Sequence, residues 1–309
     1  MSILSYITTG LTGYFAVTVS FFALSAVKVP KAGFIARCLS SYASLIICAT
    51  YGVIASIVLR LTGYGRVSQW ATARSFKWVM WLATGVHFDI VEGEKYLSTR
   101  PAVFIGNHQT ELDVLMLGAI FPPYCSVTAK KSLKSWPFLG WFMSLSGTVF
   151  IDRANRETAV KAFDGAAREM QEFRQSVFIF PEGTRSYSAT PELLPFKKGA
   201  FHLAVKAGVP IVPVVVENYP HVLNVRKLHF EAGGIKIKGM SFSVSARFED
   251  RANFVVLPPI ETKNLTPADV DKLTNDTREL MLKTYTALSN KSGQQLDGAV
   301  RASSTAVEI

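Results

Sequence analysis

The sequence has too few cysteines for a disulfide framework. Its three cysteines are Cys38, Cys48 and Cys125, and none of them forms a C-x-x-C pair. Disulfide-rich folds and zinc modules need more cysteines, or cysteines grouped with histidines at short spacing. We therefore expect the three to be small packing residues, and we predict neither a metal site nor a cofactor.

Two long N-terminal runs lack charge altogether. Ile3–Val27 and Cys38–Leu59 contain no charged side chain. Each run is long enough to cross roughly 30 Å of hydrocarbon as a helix. A cleaved signal peptide fits the first run poorly, because no basic residue precedes it and it is too long. The runs predict a membrane-embedded helical hairpin, with buried core helices as the alternative.

Charge elsewhere is mainly basic, with a formal net value of +10. No zinc-finger spacing and no RNA-binding aromatic signature accompanies it, so we predict no nucleic-acid partner. Membrane lipids with anionic head groups and phosphorylated substrates are the expected partners. Basic residues follow both apolar runs, so the orientation of the hairpin stays open. It either spans the bilayer twice or dips into one leaflet.

After the hairpin the pattern changes twice. Trp70–Val86 mixes aromatic and basic residues, which indicates an amphipathic helix at the membrane interface or a core helix. From Phe88 onward, short apolar strands alternate with helices. The strand candidates are Ala102–Gly106, Gly147–Ile151, Val177–Phe180, Ile211–Val216, Phe242–Phe248 and Phe254–Val256. The helix candidates are Leu112–Ile120, Arg156–Phe173 and Lys198–Ala207. This alternation predicts an α/β fold with a central, mostly parallel sheet flanked by helices.

We divide the chain into three parts. Residues 1–86 form the membrane anchor, residues 87–288 the α/β domain, and residues 289–309 a disordered tail rich in Ser, Gly and Ala. Before the tail, Thr266 is a good N-cap and Pro267 suits the first position of a helix.

His108 and Asp113 form the first candidate site, in the run Asn-His-Gln-Thr-Glu-Leu-Asp. The run lies where a strand ends and a helix begins, a common place for active residues in α/β sheets. Histidine is the general base available at neutral pH. If the chain folds back, Asp113 accepts from one ring nitrogen and leaves the other free to take a proton. A loop histidine and a helix-capping aspartate, both structural, are the alternative.

Phe180-Pro181-Glu182-Gly183-Thr184-Arg185-Ser186 forms the second candidate site, after another apolar strand. Gly183 permits close backbone approach or a positive φ. Arg185 has a planar fork suited to phosphate. A turn with free N–H groups could also stabilise an oxyanion. An ordinary turn with a surface arginine is the alternative.

The two sites together resemble the signature of the glycerolipid acyltransferase family, the 1-acylglycerol-3-phosphate acyltransferases and their relatives. The resemblance covers about residues 88–259, and the sequence suits a eukaryotic, fungal-like member. Between the two sites lies Gly147-Thr148-Val149-Phe150-Ile151-Asp152-Arg153, and after them comes Val209-Pro210-Ile211-Val212-Pro213-Val214. These four blocks occur in the family's order. The N-terminal hairpin also resembles the family's membrane anchor.

The resemblance implies a role for each matched residue. His108 deprotonates the acceptor hydroxyl, Asp113 orients His108, and Gly183 with its neighbours supplies donors for the oxyanion. Basic side chains bind the acceptor phosphate, and two neighbours of Arg185 shape that pocket. The implied substrate-binding residues are Arg153, Arg185, Glu182, Thr184, Lys130 and Lys131. For the two lysines, a solvated surface pair is an equal alternative, and Val209–Val214 has only packing or acyl-chain roles.

The implied activity is transfer of an acyl group from acyl-CoA to the sn-2 hydroxyl of lysophosphatidic acid at the endoplasmic reticulum membrane. The hydroxyl attacks directly, because no G-x-S-x-G nucleophile motif is present. Glycerol-3-phosphate or another lysophospholipid is the alternative acceptor. A membrane-shaping protein on the same fold, without catalysis, is the alternative of another class. A serine or cysteine hydrolase lacks a nucleophile in a suitable motif.

Overall fold

The computed structural model describes residues 2–232 and 252–305 of the 309-residue chain. Its helices are α1 (Ile3–Ala26), α2 (Ala32–Leu61), α3 (Ser68–Thr84), α4 (Asp113–Ile120), α5 (Leu139–Leu145), α6 (Arg156–Phe173), α7 (Gly199–Ala207) and α8 (Val270–Thr305). Its strands are β1 (Phe88–Glu92), β2 (Val103–Gly106), β3 (Cys125–Lys130), β4 (Val149–Ile151), β5 (Ser176–Ile179), β6 (Ile211–Val216), β7 (Leu223–Asn224), β8 (His229–Phe230) and β9 (Ala252–Val256).

Both predicted N-terminal runs are helical. The helices α1 and α2 are long and apolar enough to cross a membrane, and α1 has no buried residue. One side of α2 is a row of small residues that lets α3 approach closely: Ala32, Ala36, Ser40, Ser44, Cys48, Ala49, Gly52 and Ser56. Helix α2 starts earlier than predicted and includes Arg37. This charge is accommodated because Arg37 donates to the carbonyl of Thr84 at 3.3 Å and to that of Phe230 at 3.1 Å.

Helix α3 corresponds to the amphipathic helix predicted at Trp70–Val86. It has one buried side, as a core helix does, and one side with exposed apolar residues, as an interfacial helix does. Phe76 and Met80 are buried on one side, where α3 packs against α2 and α4. Trp78 and Leu82 are exposed on the other. The helix ends at Gly85, whose φ of 76° is left-handed. Because α3 contacts both regions, it joins the apolar hairpin to the α/β domain.

Seven strands form one sheet in the order β1-β9-β6-β2-β5-β3-β4. Strands β6, β2, β5, β3 and β4 run parallel, and β9 is antiparallel to β6 and parallel to β1. The mostly parallel sheet is therefore confirmed. One face packs against α3 and α4, and the other against α6, α7 and α8. The carboxyl ends of the five parallel strands meet at one edge, which positions the site.

Most predicted elements of the α/β domain are present within two residues of their predicted ends, and α6 has the predicted bounds. The strand β3 was not predicted, because Cys-Ser-Val-Thr-Ala-Lys lacks a clear apolar pattern. The strand candidate at 242–248 lies outside the described residues. Thr266 caps a short 3₁₀ turn, Pro267–Asp269, that leads directly into α8.

Helix α8 runs into the stretch that is predicted as a disordered tail from residue 289. Its backbone continues as helix to Thr305. The stretch 289–305 contains no proline and includes several good helix formers, so it can extend a helix that tertiary packing has already started. Composition alone favoured disorder because it ignores the helix that precedes the stretch.

Candidate active site

His108 and Asp113 meet in the loop between β2 and α4. The ring Nδ1 of His108 lies 2.6 Å from Oδ2 of Asp113. Asp113 is the first residue of α4 and is buried. Its Oδ2 also accepts from the backbone amides of Gln109 at 2.7 Å and Thr110 at 3.2 Å. The carboxylate therefore folds the loop back over the helix start, and the predicted contact is present.

A fourth donor completes the surroundings of Asp113. The hydroxyl of Tyr219 donates to its Oδ1 at 2.6 Å. An ionised carboxylate accepts about four hydrogen bonds, so Asp113 has its full set. We assign the proton on His108 to Nδ1, which leaves the lone pair of Nε2 available as a base. Burial, followed by the Asp113 charge, raises the pKa of Tyr219 well above its ordinary value, so this residue stays a donor.

Two further contacts fix the imidazole plane and its backbone. The ring of Phe180 stacks on His108 with centroids 4.2 Å apart. This contact exists because β2 and β5 are neighbours, with Ile105 paired to Ile179. Glu182 then accepts from the His108 amide at 2.7 Å. Both loops are thus built as one unit at the carboxyl edge of the sheet.

Glu182 lies inside the protein and not in an open phosphate pocket. It is 3% exposed, and its second oxygen accepts from the amide of Leu194 at 2.9 Å. Burial raises its pKa, against the lowering effect of these amide donors. Its predicted part in shaping the substrate pocket stays a prediction; in the structure Glu182 joins two loops. A second negative charge facing a phosphate would also be unfavourable.

Gly183 adopts the positive φ that the sequence indicated, at 68°. Its own amide, however, donates to the carbonyl of Phe180 at 3.0 Å and closes the turn. In this conformation the Gly183 amide is engaged in the turn, and the role predicted for Gly183 and its neighbours as oxyanion donors stays a prediction. Among the described residues, the amides of Thr184 and Arg185 have no protein acceptor. They are the better candidates for an oxyanion, because a donor must be free to bind one.

Arg185 lies on the same rim as His108. The amides of Ser186 and Tyr187 donate to the carbonyls of His108 and Gln109 at 2.9 and 3.1 Å, which holds the two loops together. The guanidinium pairs with Glu111 at 3.0 Å, and the Tyr187 hydroxyl also donates to Glu111, at 2.6 Å. This ion pair is open to solvent, so a phosphate can compete for Arg185.

The remaining predicted cations lie at the ends of β3 and β4. Lys130 and Arg153 are exposed, and neither has an ion-pair partner in the described parts of the chain. Lys131 pairs with Asp152 at 3.1 Å, and this contact is the main cause that lowers the pKa of Asp152. In the sheet, β3 is two strands and β4 three strands away from β2. Neighbouring strands lie about 4.8 Å apart, so the backbone of Lys130 is roughly 10 Å and that of Arg153 roughly 15 Å from the end of β2. Long side chains can reach inward from there.

The sequence did not indicate several residues of the site. Asn107 exchanges two hydrogen bonds of 2.9 Å with the backbone of Val216. Gln109 donates to the carbonyl of Glu217 at 2.8 Å and accepts from the Tyr285 hydroxyl at 3.1 Å. Asn107 and Gln109 belong to the same run as His108 and Asp113, and this was the only sequence signal that they take part in the site. Tyr219 and Tyr285 gave none, because their partners are more than a hundred residues away.

The block Val209–Val214 leads into the buried strand β6, which lies beside β2, and forms the first four residues of that strand. It supports the position of the site from within the core, which agrees with the packing role considered for it. In the described residues no group of three or more His, Cys, Asp or Glu is arranged to hold a metal ion.

Comparison with known proteins agrees with this architecture. The acyltransferase family profile matches residues 90–217. The 1-acyl-sn-glycerol-3-phosphate acyltransferase of Saccharomyces cerevisiae is 43% identical over 237 residues, which are 77% of this chain and 72% of the yeast protein. The human 1-acyl-sn-glycerol-3-phosphate acyltransferase beta is 33% identical over 249 residues, which are 79% of this chain and 81% of the human protein.

A solved structure shares the fold. The crystal structure of the 1-acyl-sn-glycerophosphate acyltransferase PlsC from Thermotoga maritima matches with a TM-score of 0.57 at 19% identity, over 90% of this chain and 96% of that one. The ordered motifs, the sheet that brings them together and the identity to the yeast and human proteins lead to one conclusion. This chain belongs to the 1-acyl-sn-glycerol-3-phosphate acyltransferase family.

Proposed function

We propose that this protein transfers an acyl group from acyl-CoA to the sn-2 hydroxyl of lysophosphatidic acid, giving phosphatidic acid and CoA. The observation that supports it most directly is the contact between His108 and Asp113, which leaves one imidazole nitrogen free as a base. The yeast and human relatives are named for acylation of 1-acyl-sn-glycerol-3-phosphate. The donor, acyl-CoA, follows from the family resemblance.

The proposed reaction is a direct displacement. His108 Nε2 accepts the proton of the acceptor hydroxyl while its oxygen attacks the thioester carbonyl carbon. The amides of Thr184 and Arg185 donate to the oxygen of the tetrahedral intermediate. When this intermediate collapses, the C–S bond breaks and the His108 imidazolium returns the proton to the CoA sulfur. Asp113 stabilises the imidazolium during the step.

The acceptor phosphate binds beside this centre in the proposal. Arg185 exchanges its exposed partner Glu111 for the phosphate, because its planar fork suits two phosphate oxygens. Lys130 and Arg153 approach the same phosphate from the ends of β3 and β4, and Lys131 contributes less because Asp152 already pairs with it. Thr184 is exposed at the same rim and contributes through its backbone.

Residues 1–86 are the membrane anchor in this proposal, and residues 87–288 form the catalytic part, which α8 extends. The two apolar helices support association with a membrane. Location in the endoplasmic reticulum is proposed from the family resemblance. A lipid acceptor and product fit an enzyme held at a bilayer, whereas glycerol-3-phosphate is water-soluble.

The test combines an acceptor panel with a histidine substitution. One labelled acyl-CoA is supplied with lysophosphatidic acid, glycerol-3-phosphate or another lysophospholipid, and the labelled products are counted. We expect the highest kcat/KM with lysophosphatidic acid. His108→Ala lowers kcat by about 10²- to 10⁴-fold, the usual contribution of a general base.

His202→Ala is the matched control, because His202 is exposed on α7, away from the site. It keeps wild-type kcat. Unchanged turnover in His108→Ala would contradict the catalytic assignment of His108. No acylation of any acceptor by the wild-type protein would favour the membrane-shaping alternative. A preference for glycerol-3-phosphate would keep the chemistry and change the acceptor. Fatty acid released from acyl-CoA without any acceptor would indicate a hydrolase.

A further inference from the structure

The segment Lys131–Leu145, which joins β3 to β4, exposes large aromatic side chains. We call it the β3–β4 segment. Trp136, Phe138 and Trp141 are 55%, 41% and 53% exposed. The rings of Phe138 and Trp141 lie 5.2 Å apart, so they form one surface. Soluble proteins seldom leave grouped aromatics in water, and such a group marks a contact surface.

The position of the β3–β4 segment identifies what this surface faces. Its helix α5 packs against the second half of α2: Phe142 lies so close to Gly52 that a Cβ there would come within 2.6 Å of the ring. Arg60 Nε donates to the carbonyl of Leu145 at 2.7 Å. This half of α2 belongs to a candidate membrane helix. Its outward side exposes Ile54, Ile57, Val58 and Leu61.

The charge of the segment also fits a lipid surface. Residues 131–145 contain Lys131 and Lys134 and no acidic residue, and both lysines are exposed. Tryptophan is enriched at the boundary between head groups and acyl chains, because its ring is apolar and its N–H can donate. Lysine beside it is attracted to anionic head groups.

We propose that the β3–β4 segment docks on the surface of an anionic bilayer, with Trp136, Phe138 and Trp141 in the interface beside α2. The docking goes beyond the proposed function and is independent of it. One consequence does rest on that function. Because the segment begins directly after Lys130 and ends shortly before Arg153, its docking places both cations at head-group level, where the acceptor phosphate lies.

Tryptophan fluorescence tests the docking without any activity measurement. Replacing Trp70, Trp78 and Trp81 by Phe leaves Trp136 and Trp141 as the only tryptophans of five. The full chain is reconstituted in phosphatidylcholine–phosphatidylserine vesicles with bromine on the acyl chains near the head groups. We expect about twofold quenching, as for interfacial tryptophans, and little quenching by aqueous iodide.

The matched control is Leu280→Trp in a chain without native tryptophans. Leu280 is 41% exposed on α8, on the opposite face of the sheet from α2. This reporter is quenched by iodide and not by brominated lipid. If the triple variant does not fold, the fluorescence of Trp136→Phe/Trp141→Phe is subtracted from that of the wild type, with and without each quencher. The difference gives the quenching of Trp136 and Trp141 in a nearly native chain.

Two results would overturn the docking. Quenching of Trp136 and Trp141 by iodide alone would place them in water. Quenching by neither agent would mean that protein covers them, and a second copy of the chain would then be the occupant.

An activity measurement tests the consequence. Trp136→Ser/Trp141→Ser raises the apparent KM for a long-chain acceptor in vesicles by about tenfold, as expected for losing two half-buried aromatics. KM for a short-chain, water-soluble acceptor stays within about twofold. Equal increases for both acceptors would show that the segment maintains the site itself. If no acceptor is acylated, the proposed function fails, while the quenching result still decides the docking.

Discussion

The two halves of the catalytic edge are built differently. Around His108, the polar groups are buried and paired: Asp113 has four donors and Glu182 joins two loops. At the ends of β3 and β4, Lys130 and Arg153 are exposed and lack ion-pair partners within the described residues. A group that moves a proton must be held in one geometry before substrate arrives, because reorganisation during the reaction costs rate. A group that binds a charged substrate must stay available.

This difference predicts two kinds of variant. Substitutions in the fixed half lower kcat. Substitutions in the open half raise KM for the acceptor and leave kcat and folding nearly unchanged. The predictions below follow from the largest expected effect to the smallest.

Asp113→Asn gives the largest loss. The new amide group would face donors that need an acceptor, and His108 would lose the partner that fixes its tautomer. By analogy with triad aspartates, kcat falls by about 10³- to 10⁴-fold. Steady-state kinetics measures this, and circular dichroism shows whether the fold persists. A folded variant with less than a tenfold loss would mean that Asp113 is only a helix cap.

Tyr219→Phe tests whether the fixed half extends beyond the sequence motif. We expect kcat to fall by about tenfold, since a hydrogen bond to a charged group is worth about 1.5–3 kcal/mol. Without this donor, the Asp113 carboxylate is held less firmly in the position that orients the His108 imidazole. Steady-state kinetics measures the loss of kcat.

Tyr285→Phe is the matched control for Tyr219→Phe. It also removes a buried hydroxyl near the same loop, but its partner is Gln109 and not Asp113. We expect a similar loss of stability, about 1 kcal/mol in the free energy of unfolding, and a nearly unchanged kcat. If both variants lower kcat equally, Tyr219 acts only through loop stability.

Arg185→Lys tests a residue that shares features of both halves, because its loop is joined to that of His108 while its ion pair is open to solvent. Lysine keeps the charge and loses the planar fork, so KM for the acceptor rises by about tenfold, and more than KM for acyl-CoA. Initial rates with each substrate varied in turn measure the two constants. Equal effects on both would show that Arg185 maintains the loop through Glu111 and does not bind phosphate.

Arg153→Gln has the smallest expected effect. This side chain is exposed at the end of β4, so one lost phosphate contact raises KM for the acceptor by about threefold, in keeping with weak exposed ion pairs. The melting temperature and kcat stay near wild type. Since exposed charges are screened by salt, the difference from wild type also shrinks at high ionic strength. A large drop in kcat would place Arg153 in the fixed half.

Sequence patterns were most informative where the physical cause is local. The pair of His108 and Asp113 was predictable because a strand end, a loop and a helix start lie within one short run. The boundaries of α6 and β6 followed from apolar periodicity. The end of α7 followed from Gly208, which caps that helix. Strand β3 was missed since its alternation is weak.

The sequence by itself determined the α/β class, the apolar hairpin and the contact between His108 and Asp113. Tertiary structure decided the rest. It brought Tyr219 to Asp113, buried Glu182, engaged the Gly183 amide in a turn and packed α5, which carries Trp141, against α2. The reason is range: periodicity and capping act over a few residues, whereas the order of parallel strands brings together side chains that are far apart in the chain. His108 and Asp113 are the residues proposed to provide the chemistry, and the sheet supplies the surroundings that hold them in place.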